Sequence, residues 1–255
     1  MMFSLKIRVA TLALPIFNFG NIDIVEILIS VFVLALSLSL HEFAHAYAAL
    51  KMGDDTAAMA GRLTLNPLKH LDPIGSLVFL IARIGWAKPV PVNPSRFTKA
   101  KSIKRGIFWV SLAGPLSNLL LGTLSWILFC TLFTIMLAIG TSGPIIIVVM
   151  QLFLTLFQAN MLLAVFNLLP VPPLDGFKIV GVVLPDKWYG RLLQYEQIIG
   201  IAFLILVLFF RGALTTVLGW ILVPFEYAIQ DPITWLFRQL QAALGLPDML
   251  RFFVS

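Results

Sequence analysis

The sequence predicts an all-α polytopic membrane protein, with four to six transmembrane helices and a re-entrant or short strand-containing segment after the first. Three observations carry this reading. Hydrophobic residues make up 60% of the 255-residue chain and charged residues only 12%, about half the charge of a soluble domain. Several apolar runs reach the twenty or so residues that a helix needs to cross the hydrocarbon of a bilayer. Basic residues gather between those runs, with seven of the 18 falling between Arg83 and Arg105, the pattern of a cytoplasmic loop. The same composition excludes a disordered chain and a disulfide scaffold. Membrane orientation accounts for the net charge of +6 without a nucleic-acid partner.

Along the chain, residues 1–20 lack a convincing cleavage site and read as an interfacial or surface segment. A first span runs from about Asp23 to Leu50. The stretch "GDDTAAMAGRLTLNPLKHLDP" is polar and punctuated by Gly and Pro, and its "MAGRLTL" portion has the pattern of an extended strand. Residues 74–86 are apolar but too short for an ordinary span, which suits a re-entrant or interfacial segment. The proline-rich basic run that follows is a loop. A second span, about Ile107 to Ile139, is so long that it must tilt, protrude or break near Gly114-Pro115. After the turn "GTSG", a third runs from Pro144 to about Leu169 and stops at "PVPPLDG". The last apolar region holds one span with an interfacial tail or two short spans, divided at Arg211-Gly212. Cys130, the single cysteine, has no intramolecular partner and reads as a small packing residue. No internal repeat is visible, so residues 1–255 read as one membrane-embedded domain, with a core over about 25–185 and C-terminal helices over about 197–250. With the Arg83–Arg105 cluster, Lys178, Lys187 and Arg191 in the cytoplasm, the inner ends of the first and third spans share one side of the cell (inner) membrane.

The first span contains "HEFAH". Ionisable groups at membrane depth are costly and usually functional. His41 and His45 are four residues apart, which on a helix puts both imidazoles on one face, as two ligands of one metal ion require. Glu42 stands beside the first, placed to act as general base towards the attacking water. The plainer reading, polar residues pairing for packing, compensates poorly for desolvating three ionisable groups. A catalytic zinc takes three protein ligands and leaves one position open. Acidic candidates for the third are few. Asp23 and Glu26 lie at the far end of the span, and Asp54 and Asp55 follow it too closely. Asp175 stands just past the third span, where prolines forbid helix and let the chain turn back. His41 lies about nine residues inside the end of the first span, roughly 14 Å deep at 1.5 Å per residue, so Asp175 qualifies only if "PVPPLDG" folds back to that depth.

With "HEFAH", "SLAGPLSN" (111–118) and "NLLPVPPLDG" (167–176) in this order, the sequence resembles the site-2 protease family of intramembrane zinc metalloproteases. The linking stretches "GRLTLNPLKHLDPIG" and "GWAKPVPVNP" are similar to its short bacterial branch. The resemblance covers roughly residues 25–185. It implies zinc held by His41, His45 and Asp175, with Glu42 as the catalytic carboxylate. It further implies that Asn118 and Asn167 line the active site and hold substrate or the developing oxyanion, where an amide donor lowers the barrier. An interhelical hydrogen bond is the other role open to each asparagine. His70, in "NPLKHLDP", matches no ligand spacing and reads as a loop residue at headgroup level, with substrate or secondary metal contact the alternative. No room is visible for a PDZ domain between the core spans or for a C-terminal CBS domain, so substrate selection falls to the core or to a regulatory membrane partner.

The implied function is hydrolysis of peptide bonds within or near transmembrane segments of membrane-protein substrates, in a cavity open to the cytoplasm. An unwound substrate would pair with a strand near Ala60–Leu65. Two alternatives remain at this stage. One is a metal or proton transporter built on the His–Glu–Asp cluster, which the missing repeat disfavours. The other is a catalytically silent binder of membrane proteins, which the intact Glu42 disfavours.

Overall fold

A computed structural model of the chain describes residues 24–75, 78 and 87–250. Helix α1 (Ile24–Met52) shows how the sequence places its polar residues. Ile24, Leu28 and Phe32 are exposed along one stripe, the side that meets lipid. Ile29, Val33, Ser37, His41, His45 and Ala49 form a buried stripe at steps of four, so the histidines continue the face that packs inward. Its serines do not waste hydrogen bonds: Ser30 Oγ donates to Glu26 O at 2.8 Å, one turn back.

The segment after α1 contains the short helices α2 (Thr56–Met59) and α3 (Pro67–His70) and a 3₁₀ turn over Pro94–Arg96. The strand expected within residues 59–65 is not formed. Residues 60–65 are turn and bend, because their partners are not another strand. Arg62 N–H donates to Ala57 O at 2.8 Å, the Arg62 guanidinium reaches Lys69 O, and Thr64 O binds the His70 ring at 2.7 Å. Leu71 and Ala87 make one isolated antiparallel bridge. Nearly all of the expected re-entrant stretch, 74–86, lies outside the described residues, as do residues 1–20.

Helix α4 (Ile103–Ile139) begins four residues earlier than expected. The Ser102 hydroxyl caps it by accepting from Arg105 N–H at 3.2 Å. It runs unbroken through Pro115 and ends at Gly140, whose φ of +70° suits glycine. Its 37 residues make about 55 Å of helix against about 30 Å of hydrocarbon, so it tilts or protrudes and does not break. Helix α5 (Pro144–Asn167) starts with proline at a first-turn position, where its missing N–H costs nothing. Then come α6 (Asp175–Val183), α7 (Asp186–Gln194), α8 (Glu196–Phe209) and α9 (Arg211–Ala243), which continues through Pro224 and Pro232. Among the described residues, α1, α4 and α5 are long and apolar enough to cross a membrane, and a fourth span results if α7 and α8, bent by 62°, count as one. The lower end of the expected four to six is reached only if that bent pair is counted, since α8 alone has 14 residues.

Helix α4 is the hub, packed against α1, α5, α6 and α9. Its aromatic face, Trp126 and Phe129 with ring centroids 5.1 Å apart, meets Phe157 and Met161 of α5. Lipid is as apolar as these side chains, so close packing and polar pins do the joining. Trp126 Nε1–H donates to Thr234 Oγ1 of α9 at 3.1 Å. Cys130 is buried in the same cluster.

Asp54 ties the end of α1 to the proline-rich loop. Wholly buried, its carboxylate accepts from Thr56 N–H at 3.0 Å, from the Thr56 hydroxyl and from Asn93 N–H at 2.6 Å. Burial works to raise its pKa, but these hydrogen bonds and the nearby Arg96 charge outweigh that and hold it below the usual carboxylate range. The ionised form is therefore favoured by folding. The stabilisation is complete above the ordinary value, about 3.9, and is lost as pH falls through the lower folded value. Asp54→Asn turns an amide N–H against one of these donors and is expected to cost about 1–3 kcal/mol at pH 7. Thermal unfolding of both proteins checks this, with the gap closing below about pH 4.

Candidate metal centre

The buried stripe of α1 brings the two imidazoles together, with His41 Nε2 and His45 Nε2 3.0 Å apart. Asp175 arrives from the other side. Beyond α5 the chain makes consecutive tight turns, with Val171 N–H to Leu169 O at 2.8 Å and Leu174 N–H to Val171 O at 3.0 Å, and these fold "PVPPLDG" back into the protein. The return is so close that a Cβ on Gly176 would stand 2.2 Å from Leu168 O. Asp175 Oδ2 then lies 3.2 Å from His41 Nε2 and 3.1 Å from His45 Nε2. All three side chains are buried. The place of Asp175 in the first turn of α6 favours its negative charge.

Both imidazoles are oriented from behind. His45 Nδ1 is 2.7 Å from the main-chain oxygen of Val110, and His41 Nδ1 is 2.6 Å from Asn118 Oδ1. Each partner accepts only, so each ring carries its proton on Nδ1 and turns an Nε2 lone pair towards Asp175. Two lone pairs and a carboxylate converging in a buried space repel one another unless a cation lies among them. Ligands of a tetrahedral zinc stand about 3.3 Å from one another, close to the 3.0, 3.1 and 3.2 Å found here. The donor set therefore fits a zinc ion. Helix α4 leaves room for it only because residue 114 is glycine: a Cβ there would sit 2.4 Å from His45 Nε2 and 2.6 Å from His41 Cε1.

Glu42 shares the cavity with these three groups, a space of about 350 Å³ also lined by Val90, Phe97 and Asn167. Its Oε2 accepts from Val90 N–H at 2.9 Å. Pro89 and Pro91 flank Val90 and have no N–H, so Val90 supplies the sole main-chain donor of that tripeptide. Asn167 lines the cavity with its amide donating to Leu163 O at 2.9 Å. Asn118 does not line the cavity; it stands behind His41, fully buried. His70 is buried away from the metal centre, bonded to Thr64 O. Sequence reasoning missed the Val90 amide, the Val110 carbonyl and Asn160, the last of which the polar position in "FQANML" hinted at.

The description "Peptidase family M50" matches residues 29–210, which take in both histidines, Glu42 and Asp175. The chain belongs to this family, the site-2 protease family. Among curated relatives of this M50 protein, "Putative zinc metalloprotease YwhC" of Bacillus subtilis is 41% identical over 210 residues, covering 81% of this chain and 90% of its own. "Putative zinc metalloprotease Rip2" of Mycolicibacterium smegmatis is 40% identical over 149 residues, 56% of this chain and 52% of the relative. The protein of the same name in Mycobacterium tuberculosis is 35% identical over 190 residues, 72% of this chain and 66% of the relative. The chain thus spans about half to two thirds of the Rip2 proteins and most of YwhC. No solved structure matches it. Zinc, the metal in the relatives' names, is the one the M50 donor set fits.

Proposed function

We propose that this M50 protein is an intramembrane zinc endopeptidase, hydrolysing peptide bonds within or near transmembrane segments of membrane-protein substrates. The observation that carries the reading is the convergence of His41, His45 and Asp175 beside Glu42 on one cavity. His41, His45 and Asp175 hold the zinc, which when bound supplies a Lewis acid for the scissile carbonyl and a lowered pKa for the attacking water. Glu42 removes the proton from that water and passes it to the leaving nitrogen. One Glu42 oxygen is engaged by Val90 N–H, and the other makes no hydrogen bond among the described residues, leaving it able to take the proton. Asn167, on the cavity wall, holds the substrate or its carbonyl oxygen through its amide. A transmembrane helix hides its carbonyls in its own hydrogen bonds, so the substrate unwinds locally before cleavage. Its partners are transmembrane substrates, the bilayer and a regulatory membrane protein that selects among substrates. Lys99 and Lys101 before α4 and Lys104 and Arg105 in its first turn, with Lys178, Lys187 and Arg191 after α5, support a cavity opening towards the cytoplasm of the cell (inner) membrane.

The test is cleavage of a panel of single-span membrane proteins in liposomes by wild type and Glu42→Gln, with bound zinc quantified in both. Wild type is expected to cleave at least one, and Glu42→Gln to be slower by about 10²–10⁴-fold with its zinc retained. Zinc held by both proteins with no cleavage by either would overturn the reading in favour of a silent binder or transporter.

A further inference from the structure

Seven residues before Asn167 on α5 lies another asparagine, Asn160, wholly buried and not on the cavity wall. Its amide has a fixed sense. Nδ2 donates to Leu156 O at 2.8 Å, and a main-chain carbonyl only accepts, so Oδ1 must point the other way. There it receives Asn118 Nδ2–H at 2.8 Å. With its NH₂ so committed, Asn118 must present Oδ1 to His41 Nδ1, 2.6 Å away. Ser37, one turn before His41 on α1, completes the cluster: its hydroxyl accepts from Asn160 Nδ2 at 2.8 Å and its carbonyl from Asn118 Nδ2 at 3.4 Å. Ser37, Asn118 and Asn160 are each 0% exposed, so no water competes for these bonds.

The two histidines differ in this respect. His45 is held by a main-chain carbonyl of α4, which cannot rotate. His41 is held by a side-chain amide, which can turn over by 180° and present NH₂ in place of oxygen. A flipped Asn118 would push the His41 proton to Nε2 and abolish the lone pair aimed at Asp175.

We propose that Asn160 is a positioning residue: through Asn118 it keeps the proton of His41 on Nδ1 and the Nε2 lone pair on the metal side. The proposal rests on the reading of His41, His45 and Asp175 as metal ligands. It makes α5 part of the metal site although no α5 residue touches the three ligand atoms. A purely structural asparagine, serving as glue between helices, would change melting temperature alone.

The experiment uses the zinc-loaded full chain with ¹⁵N-labelled histidine, of which there are only three. Asn160→Leu keeps the volume and removes every hydrogen bond. The His41 Nδ1–H resonance is expected to move upfield and exchange faster, while that of His45 stays in place as the internal control. The zinc dissociation constant, from competition with a chelator, is expected to rise about 10-fold or more, as for other outer-shell partners of metal-binding histidines. Asn160→Asp, protonated in these apolar surroundings, keeps a carbonyl for Asn118 and is expected to restore both the resonance and the affinity. A folded Asn160→Leu protein with wild-type His41 signal and zinc affinity would overturn the proposal. So would an Asn160→Asp protein that loses the His41 signal, and this variant decides the matter if the leucine variant does not fold. A wild type that binds no zinc overturns the metal reading itself, an outcome visible before any substitution is made.

Discussion

Asp175→Asn is expected to empty the metal site and reduce cleavage to background. The substitution keeps the shape of the side chain and removes its charge. In the native protein that charge lies 3.1 and 3.2 Å from two imidazole nitrogens, among buried side chains. Substitutions that only touch the outer shell of a zinc site cost about 10–100-fold in affinity, so loss of a ligand is expected to cost more. Asp175 is also the group that links the returning loop to α1. Zinc binding thus ties residues from two distant parts of the chain, and by mass action zinc should raise the unfolding temperature of wild type. Metal analysis of the purified proteins, with melting curves in the presence and absence of zinc, checks both effects. A variant that keeps its zinc, or wild type whose melting ignores zinc, would remove Asp175 from the ligand set.

Gly114→Ala should be nearly as damaging, although residue 114 has no side chain to take part in any chemistry. A methyl group there would overlap both imidazoles, at 2.4 and 2.6 Å. Neither ring can retreat without breaking its anchor, to Val110 O for His45 or to Asn118 for His41. Either the rings tilt or α4 moves away from α1. Overpacking of this kind costs about 1–3 kcal/mol of stability. Displacing reacting groups by about 1 Å costs on the order of 10²-fold in rate. Cleavage and zinc content measured together separate the two effects. Gly143→Ala, where a Cβ meets nothing within 4 Å, serves as the neutral comparison.

Much of this architecture was readable in the residues, for identifiable reasons. The three long helices follow from apolar runs whose ends are marked by Ser102, Gly140 and Pro144, local signals that no tertiary contact overrides. The shared face of His41 and His45 follows from helical spacing alone. The stretch around Ala60–Leu65 misled because Leu63 and Leu65 alternate with polar residues as a strand would. The alternation lacks a partner strand, and Arg62 and His70 bind the local carbonyls instead. Asn118 shows another limit. A buried amide in a helix announces a hydrogen bond, but whether it faces substrate or a ligand's back depends on which helix lies opposite. That depends on Asn160 and Ser37, 42 and 81 residues away in the chain. The Val90 contact with Glu42 was hidden because main-chain donors leave no mark on a sequence beyond the prolines beside them.

The distance in sequence between the ligands has a consequence for how the protein is made. His45 and Asp175 are separated by 130 residues, and α4 and α5 must both be inserted before Asp175 can dock. A chain still emerging from the ribosome carries the two histidines and Glu42 from the outset, with nothing to complete the set. On the function proposed above, hydrolytic capacity arrives in one step, late in biogenesis, and a truncated or arrested product lacks it.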